Sequence, residues 1–218
     1  SEMWLGSRLQ TIQRENGRLE LGIRQGSKDR AVSVRTRLLV GADGWNSLVA
    51  RWMGRKTGNS IATMSVDARV EGHPPDMAQV FVARDTAPGW FGWSIPLGGT
   101  RVRVGIGCDP SLTRRKPRHF LGRLIDTHPQ IFQNFRPISY SGGYIPLYEN
   151  DGSVPTYGDN LLLVGDAARQ VKPTSGGGIY ASIVIGRKAA KVALAAFEAD
   201  DLSSARLAVY EKDWRGDF

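Results

Sequence analysis

The order of apolar and polar positions divides the chain into a strand-rich start, a strand-rich middle and a helical end. Leu9 to Gln13, Arg18 to Ile23 and Arg30 to Thr36 read as strands, with Asn16-Gly17 turning the first hairpin. Leu38 to Val40 reads as a short buried strand, followed by a helix that carries Leu48, Val49 and Trp52 and that Asn46 or Ser47 can cap. Strands are predicted again over Thr63 to Val70, Gln79 to Ala83, Trp90 to Ile95 and Arg101 to Gly107, the last two joined by Leu97-Gly98-Gly99-Thr100. Phe120, Leu121, Leu124 and Ile125 recur at helical spacing within Lys116 to Thr127, and Ser139 to Ile145 is strand-like. The apolar run Leu161 to Val164 predicts a buried strand. Helices follow over Gly177 to Glu198 and Ser203 to Trp214.

Chemistry concentrates where these elements meet. After Leu161–Val164 come Gly165-Asp166, then Lys172-Pro-Thr-Ser-Gly-Gly-Gly-Ile-Tyr180. A carboxylate at the end of a buried strand suits a ribose hydroxyl. Gly176, Gly177 and Gly178, entered through Pro173, Thr174 and Ser175, are expected to open the long helix. There, free N–H groups, the positive end of the helix dipole and close backbone approach favour a phosphate or a developing anion. Together these features describe half of a nucleotide site. Upstream, Arg37-Leu-Leu-Val-Gly-Ala-Asp-Gly-Trp-Asn-Ser repeats the scheme of strand, turn and helix, with Asp43 and Gly44 at the tip.

These two segments resemble the Asp-Gly and Gly-Asp fingerprints of the flavin-dependent monooxygenase superfamily, the group built like para-hydroxybenzoate hydroxylase. Within it, the chain is most similar to geranylgeranyl reductases. That likeness is carried by Val171 to Tyr180, Gly186-Arg-Lys-Ala-Ala190, Tyr210-Glu-Lys-Asp-Trp-Arg215, Pro88-Gly-Trp-Phe-Gly-Trp-Ser-Ile-Pro96 with Val104-Gly-Ile-Gly107, and Gly142-Gly-Tyr-Ile-Pro146.

The resemblance implies FAD as cofactor, NAD(P)H or ferredoxin as electron donor, and hydride transfer to a double bond of an apolar isoprenoid substrate. The residues it assigns to the cofactor are Asp43, Gly44, Gly165, Asp166, Pro173, Ser175, Gly176, Gly177, Gly178 and Ile179. Asp166 would hold a ribose or ribityl hydroxyl, and Asp43 and Gly44 would lie by the pyrophosphate or shape the route of the electron donor. Trp90, Phe91, Trp93, Tyr144 and Tyr180 are candidates for an apolar pocket, with packing in the sheet as the alternative for the first three. No residue is assigned as proton donor; Lys172 reads equally as a surface salt-bridge residue.

The fold class expected is α/β (α+β): a Rossmann-like, three-layer FAD/NAD(P)-binding domain with an inserted antiparallel β-sheet substrate domain. Residues 1–56 and 151–218 would form the cofactor domain and 57–150 the substrate domain. The superfamily begins with a Gly-x-Gly-x-x-Gly turn that seats the adenosine diphosphate, and the chain contains no such triplet. The expectation is therefore a piece of a longer protein. Two other functions stay open: an oxygen-using hydroxylase or halogenase of the same fold, and a fragment or binding module without catalytic competence.

Composition narrows the setting. A hydrophobic fraction of 41% supports an ordered core rather than a disordered tail. The single Cys108 excludes an internal disulfide, fits a reducing compartment such as the cytoplasm, and reads as packed within the sheet. His73, His119 and His128 are too scattered for a metal site. The net charge of +8 is spread along the chain and reads as a solvated surface. Its alternative is attraction to phosphates, including a peripheral contact with an anionic membrane surface. Aromatic residues do not interleave with the basic ones, which argues against nucleic acid.

Overall fold

The computed structural model describes residues 2–27, 29–56, 58–148 and 154–216. In chain order the elements are β1 (Ser7–Glu15), β2 (Arg18–Gln25), β3 (Arg30–Thr36), β4 (Leu39–Gly41), α1 (Leu48–Trp52), β5 (Ser60–Glu71), β6 (Gln79–Phe81), β7 (Gly92–Gly98), β8 (Arg101–Cys108), α2 (Pro117–Thr127) and β9 (Gln133–Pro146). They continue with β10 (Tyr157–Gly158), β11 (Leu161–Leu163), a 3-10 turn over Gly165–Ala168, α3 (Ile179–Glu198), α4 (Ser204–Leu207) and α5 (Val209–Arg215). The chain folds as two compact units: Ser1–Gly58 with Pro146–Phe218, and Asn59–Ile145.

In the first unit, β1, β2 and β3 form an antiparallel sheet. Asn16 and Gly17 both have positive φ, 49° and 72°. That is the two-residue turn whose twist matches its flanking strands. A second sheet runs β10-β11-β4, with β11 parallel to β4 and Leu163 opposite Gly41. Parallel strands are buried on both faces, which is why Leu161, Leu162 and Leu163 form an unbroken apolar run. Leu161 and Leu163 pack with Ile12, Leu19, Leu21 and Val49 on one side. Leu162 packs with Ile185, Tyr210 and Trp214 on the other. The sheet is thus the middle of three layers, and truncating any of these leucines would cost about 2–5 kcal/mol.

The second unit is a five-stranded sheet in the order β6-β7-β8-β5-β9. Val66, Val102, Val104 and Ile106 alternate onto one face, where Phe120, Leu121 and Leu124 of α2 cover them. Cys108 is buried in the same core, and burial pushes its thiol above the ordinary range, which favours the unreactive form. No helix among the described residues is long and apolar enough to cross a membrane.

The structure departs from the sequence expectation in several places, and four of them bear on the site or its frame. Gly176 to Gly178 precede α3 instead of opening it, and the N-cap is Gly178 with no side-chain cap. The last helix divides at Ala208 into α4 and α5. β9 begins six residues earlier than Ser139, at Gln133, because its exposed polar residues give no burial signal. The strand β10 was not expected; two residues are too few to show a period.

Candidate functional site

The parallel pairing of β4 and β11 places both candidate motifs at the carboxyl ends of neighbouring strands. Gly41-Ala42-Asp43-Gly44 leaves one strand and Val164-Gly165-Asp166 the other, with the Val164 N–H donating to the Gly41 carbonyl at 2.9 Å. A crevice outside the carboxyl ends of parallel strands is the general ligand position in open α/β sheets.

Asp43 uses its carboxylate within the chain. It accepts hydrogen bonds from the backbone N–H groups of Leu48 and Val49, at 2.7 and 3.3 Å, and from the Ser47 hydroxyl. The Ser47 hydroxyl oxygen in turn accepts from the Ala50 N–H at 2.8 Å. The negative charge at the start of α1 also complements the helix dipole. Asp43 is therefore a capping residue, and it bears on any ligand through the Gly44 turn that it holds in place.

Asp166 differs. Its carboxylate is partly buried and has no hydrogen-bonding partner among the described residues. Burial alone holds its pKa above the usual carboxylate range. A narrow cleft runs beside it, lined also by Ser47, Ala50, Arg51 and Arg55. Gly165 sets the turn. Its φ is +63°, a conformation that strains any residue with a Cβ, and an added Cβ would lie 3.0 Å from the Ser182 hydroxyl oxygen.

A buried network that the sequence did not disclose holds this turn. The Gly165 N–H donates to Gln170 Oε1 at 2.9 Å, Gln170 Nε2 donates to the Tyr210 hydroxyl at 2.9 Å, and that hydroxyl donates to the Leu163 carbonyl at 2.7 Å. Gln170 is 1% exposed and Tyr210 fully buried. Their only signal in the sequence is a Tyr and a Trp four residues apart on one helix, since Gln170 follows Arg169 and does not stand out as a polar residue in an apolar run. Alongside, Trp214 Nε1 donates to the Thr156 hydroxyl at 2.9 Å, while Glu211 accepts from the Thr156 N–H at 2.8 Å and from Arg215 Nε at 2.6 Å. Burial raises the Glu211 pKa, but these bonds outweigh it and leave it below the ordinary value.

The glycine segment closes over Asp166. The Gly176 N–H donates to the Lys172 carbonyl at 2.9 Å and the Lys172 N–H to the Gly177 carbonyl at 3.2 Å, so residues 172–177 form a self-contained turn. A Cβ at Gly178 would stand 3.1 Å from Asp166 Oδ1 and 3.4 Å from Val171 Cγ1. Pro173, Ser175 and Ile179 are exposed around this turn. An unpaired, partly buried carboxylate, a backbone bare of side chains above it and an uncapped α3 terminus with no acidic residue in its first turn together fit the hydroxyls and phosphate of a flavin nucleotide.

The five candidate pocket residues divide into three groups. Trp90 and Phe91 stack with centroids 5.3 Å apart, and Phe91 meets Trp93 edge-on at 6.0 Å. The indoles rest on glycines: a Cβ at Gly105 or Gly107 would come within 2.2 Å of the Trp93 or Trp90 ring. Trp90 Nε1 is buried without a hydrogen-bond partner, a donor that a bound molecule can satisfy. Tyr144 does not join this group. Trp93 lies opposite Gly105, Gly105 opposite Ser65, and Ser65 bonds Ser141, so these share one face. By the two-residue period of β9, Tyr144 lies on the other face. There it lines a cavity of about 640 Å³ with Ala62, Met64, Lys116, Pro117 and Tyr140. Tyr180 belongs to the first unit, in the first turn of α3, and is exposed.

Comparison with known proteins follows from this geometry. Residues 3–215 match the family described as FAD binding domain. The chain is 33% identical over 216 residues to digeranylgeranylglycerophospholipid reductase 2 of Methanopyrus kandleri, an alignment covering 94% of this chain and 53% of that protein. Among solved structures, a geranylgeranyl bacteriochlorophyll reductase-like protein from Thermoplasma acidophilum superposes with a TM-score of 0.89 at 29% identity, over 99% of this chain and 55% of its own. The flavin-dependent halogenase CmlS shares the fold, with a TM-score of 0.73 at 16% identity over 96% of this chain and 40% of its own. The chain spans about half the length of the curated relatives it matches.

Proposed function

The chain belongs to the FAD binding domain family, and from that premise we propose that the protein is a flavoprotein oxidoreductase that reduces carbon–carbon double bonds of a geranylgeranyl-type isoprenoid lipid. The observation that carries the proposal is the Asp166 carboxylate, unpaired within the described protein and standing beneath Gly178 at the carboxyl end of two parallel strands. The similarity to named reductases of digeranylgeranyl lipids supports the substrate class.

A bound, reduced flavin would supply the hydride, with the balancing proton coming from solvent or a side chain. Asp166 accepts a hydrogen bond from a ribityl or ribose hydroxyl. Gly176, Gly177 and Gly178 let the cofactor reach the main chain, and the N–H groups of the first turn of α3 favour negative charge near it. Trp90, Phe91 and Trp93 offer an apolar wall. Affinity for a long hydrocarbon comes from buried area rather than from hydrogen bonds, which suits such a surface. NAD(P)H or ferredoxin is the proposed electron source.

The test is the visible spectrum of the purified protein, followed anaerobically through reduction and addition of a geranylgeranyl lipid. Flavin bands that bleach with reductant and return on addition of lipid support the reductase. Bands that return only when oxygen is admitted reassign the protein to the hydroxylases or halogenases of the same fold. A protein that takes up no flavin refutes both.

A further inference from the structure

Ion pairs hold some arginines of each unit, among them Arg14 with Asp159 and Arg37 with Asp200 in the first and Arg103 with Asp67 in the second. The segment Thr113-Arg-Arg-Lys-Pro-Arg-His119, which leads into α2, instead concentrates four cations within five residues. Arg114, Lys116 and Arg118 have no carboxylate partner among the described residues, and Arg115 contacts only the ring of His119. Arg84 stands across a neighbouring cavity, also without a carboxylate, while Asp85 is taken by Arg123 at 3.2 Å. Cations at the start of a helix oppose its dipole, and the first turn of α2 holds no acid to offset them. Local folding gains nothing from this charge.

Amphipathic and apolar side chains flank the cluster on both sides. Leu112 is 61% exposed beside Arg115, and Tyr140 and Tyr144 are 54% and 43% exposed beside Lys116 and Arg118. Basic residues mixed with tyrosine and leucine are the composition that sits at the boundary between phosphate headgroups and acyl chains. Nucleic acid fits less well, since the exposed rings lie on β9 and do not alternate with the cations.

We propose that the α2 approach, Arg114 to Arg118 with Leu112, Tyr140 and Tyr144 on its flanks, docks the protein on a bilayer surface rich in anionic phospholipid headgroups. The proposal does not depend on the reductase reading, because it requires neither flavin nor isoprenoid. Each basic side chain near such a surface strengthens attachment several-fold, and the attraction weakens as salt rises.

The experiment is co-sedimentation of the chain with phosphatidylcholine vesicles, with and without added phosphatidylglycerol, over a range of salt. The expected result is binding to the anionic vesicles alone, falling with salt. It should drop at least about ten-fold in the variant Arg114→Gln/Arg115→Gln/Lys116→Gln/Arg118→Gln. A control removing the same number of charges from the first unit, Arg8→Gln/Arg18→Gln/Arg30→Gln/Arg35→Gln, should bind within about two-fold of the parent. If the quadruple α2 variant fails to fold by circular dichroism, Lys116→Gln/Arg118→Gln, which breaks no ion pair, serves in its place. Equal loss in the control would reduce the effect to net charge and overturn the proposal. So would equal binding to neutral vesicles, or tighter binding to single-stranded DNA than to any vesicle.

Discussion

Replacing Asp166 with asparagine should strengthen the fold and weaken the cofactor complex. The substitution keeps size and shape, so the fit beside Gly178 is preserved. What changes is a partly buried charge that has no partner in the described protein. Its pKa is raised above the ordinary aspartate value of 3.8, so the sign is fixed. Stability linked to this group is fully present below the unfolded pKa and is lost as pH rises through the folded one. At neutral pH the carboxylate therefore destabilises the empty protein, and Asp166→Asn should melt higher, an advantage that shrinks on acidification and disappears below the unfolded pKa.

The cofactor should respond in the opposite sense. A hydrogen bond to a charged acceptor contributes about 1.5–3 kcal/mol, which is roughly a 10- to 150-fold loss of FAD affinity. With FAD at about 100 times the parent Kd, binding stabilises the parent by about 2.7 kcal/mol, or roughly 5–11 °C for a chain of this size. A variant with 100-fold weaker affinity keeps about 0.4 kcal/mol, a shift of about 1 °C. Thermal melts with and without FAD across the acidic range, with a flavin-fluorescence titration, read both effects. A variant that melts lower when empty and holds FAD as well as the parent would refute the reasoning, since Asp166 would then be an ordinary structural residue.

Other expectations follow from the same unit. Tyr210→Phe leaves Gln170 Nε2 and the Leu163 carbonyl without the hydroxyl between them, at a cost of about 2–4 kcal/mol and a fall of roughly 4–16 °C in Tm; a fall under about 2 °C would show the network to be dispensable. Burial also pushes the Tyr210 hydroxyl well above the ordinary tyrosine value of 10.0, so the stability it contributes should begin to fail as pH rises past about 10. Tyr210→Phe should flatten that alkaline limb, and an unchanged limb in urea titrations would assign it to other tyrosines. Asp43→Ala removes the acceptor of two N–H groups of α1 and should cost about 1–2 kcal/mol. Once the variant is folded, its FAD affinity should stay within about three-fold of the parent. A larger loss would make Asp43 a direct ligand.

The sequence disclosed those elements whose cause is local. Asn16-Gly17 announced its hairpin because two positive-φ residues are needed there, and the cap of α1 was legible as Asn46 or Ser47 because both precede an apolar helical run; the structure uses Ser47. Leu161 to Leu163 announced a strand buried on both faces. What stayed hidden is set by pairing. Nothing local says that β11 lies parallel to β4, yet that contact brings Asp43 and Asp166 to one edge. Nor could spacing tell that Asp43 spends its carboxylate on α1 while Asp166 keeps its own unpaired. Tyr144 and Trp93 looked alike as aromatic strand residues; the register of β9 on β5, visible in the Ser65–Ser141 and Thr63–Gly143 hydrogen bonds, sends them to opposite faces. The Gln170–Tyr210 bond spans forty residues of sequence, and Gln170, next to Arg169, carries no local mark of its burial.

Gly105 and Gly107 act as a floor that the sheet leaves one side chain lower than its surroundings, and the indoles of Trp93 and Trp90 lie down into that recess. The height of the aromatic wall is therefore written in the residues beneath it rather than in the tryptophans. A methyl group at either glycine would lift a ring without changing its chemistry. Under the proposed function, the width of hydrocarbon that the wall would accept could thus drift, over evolution or by design, through small residues beneath the rings.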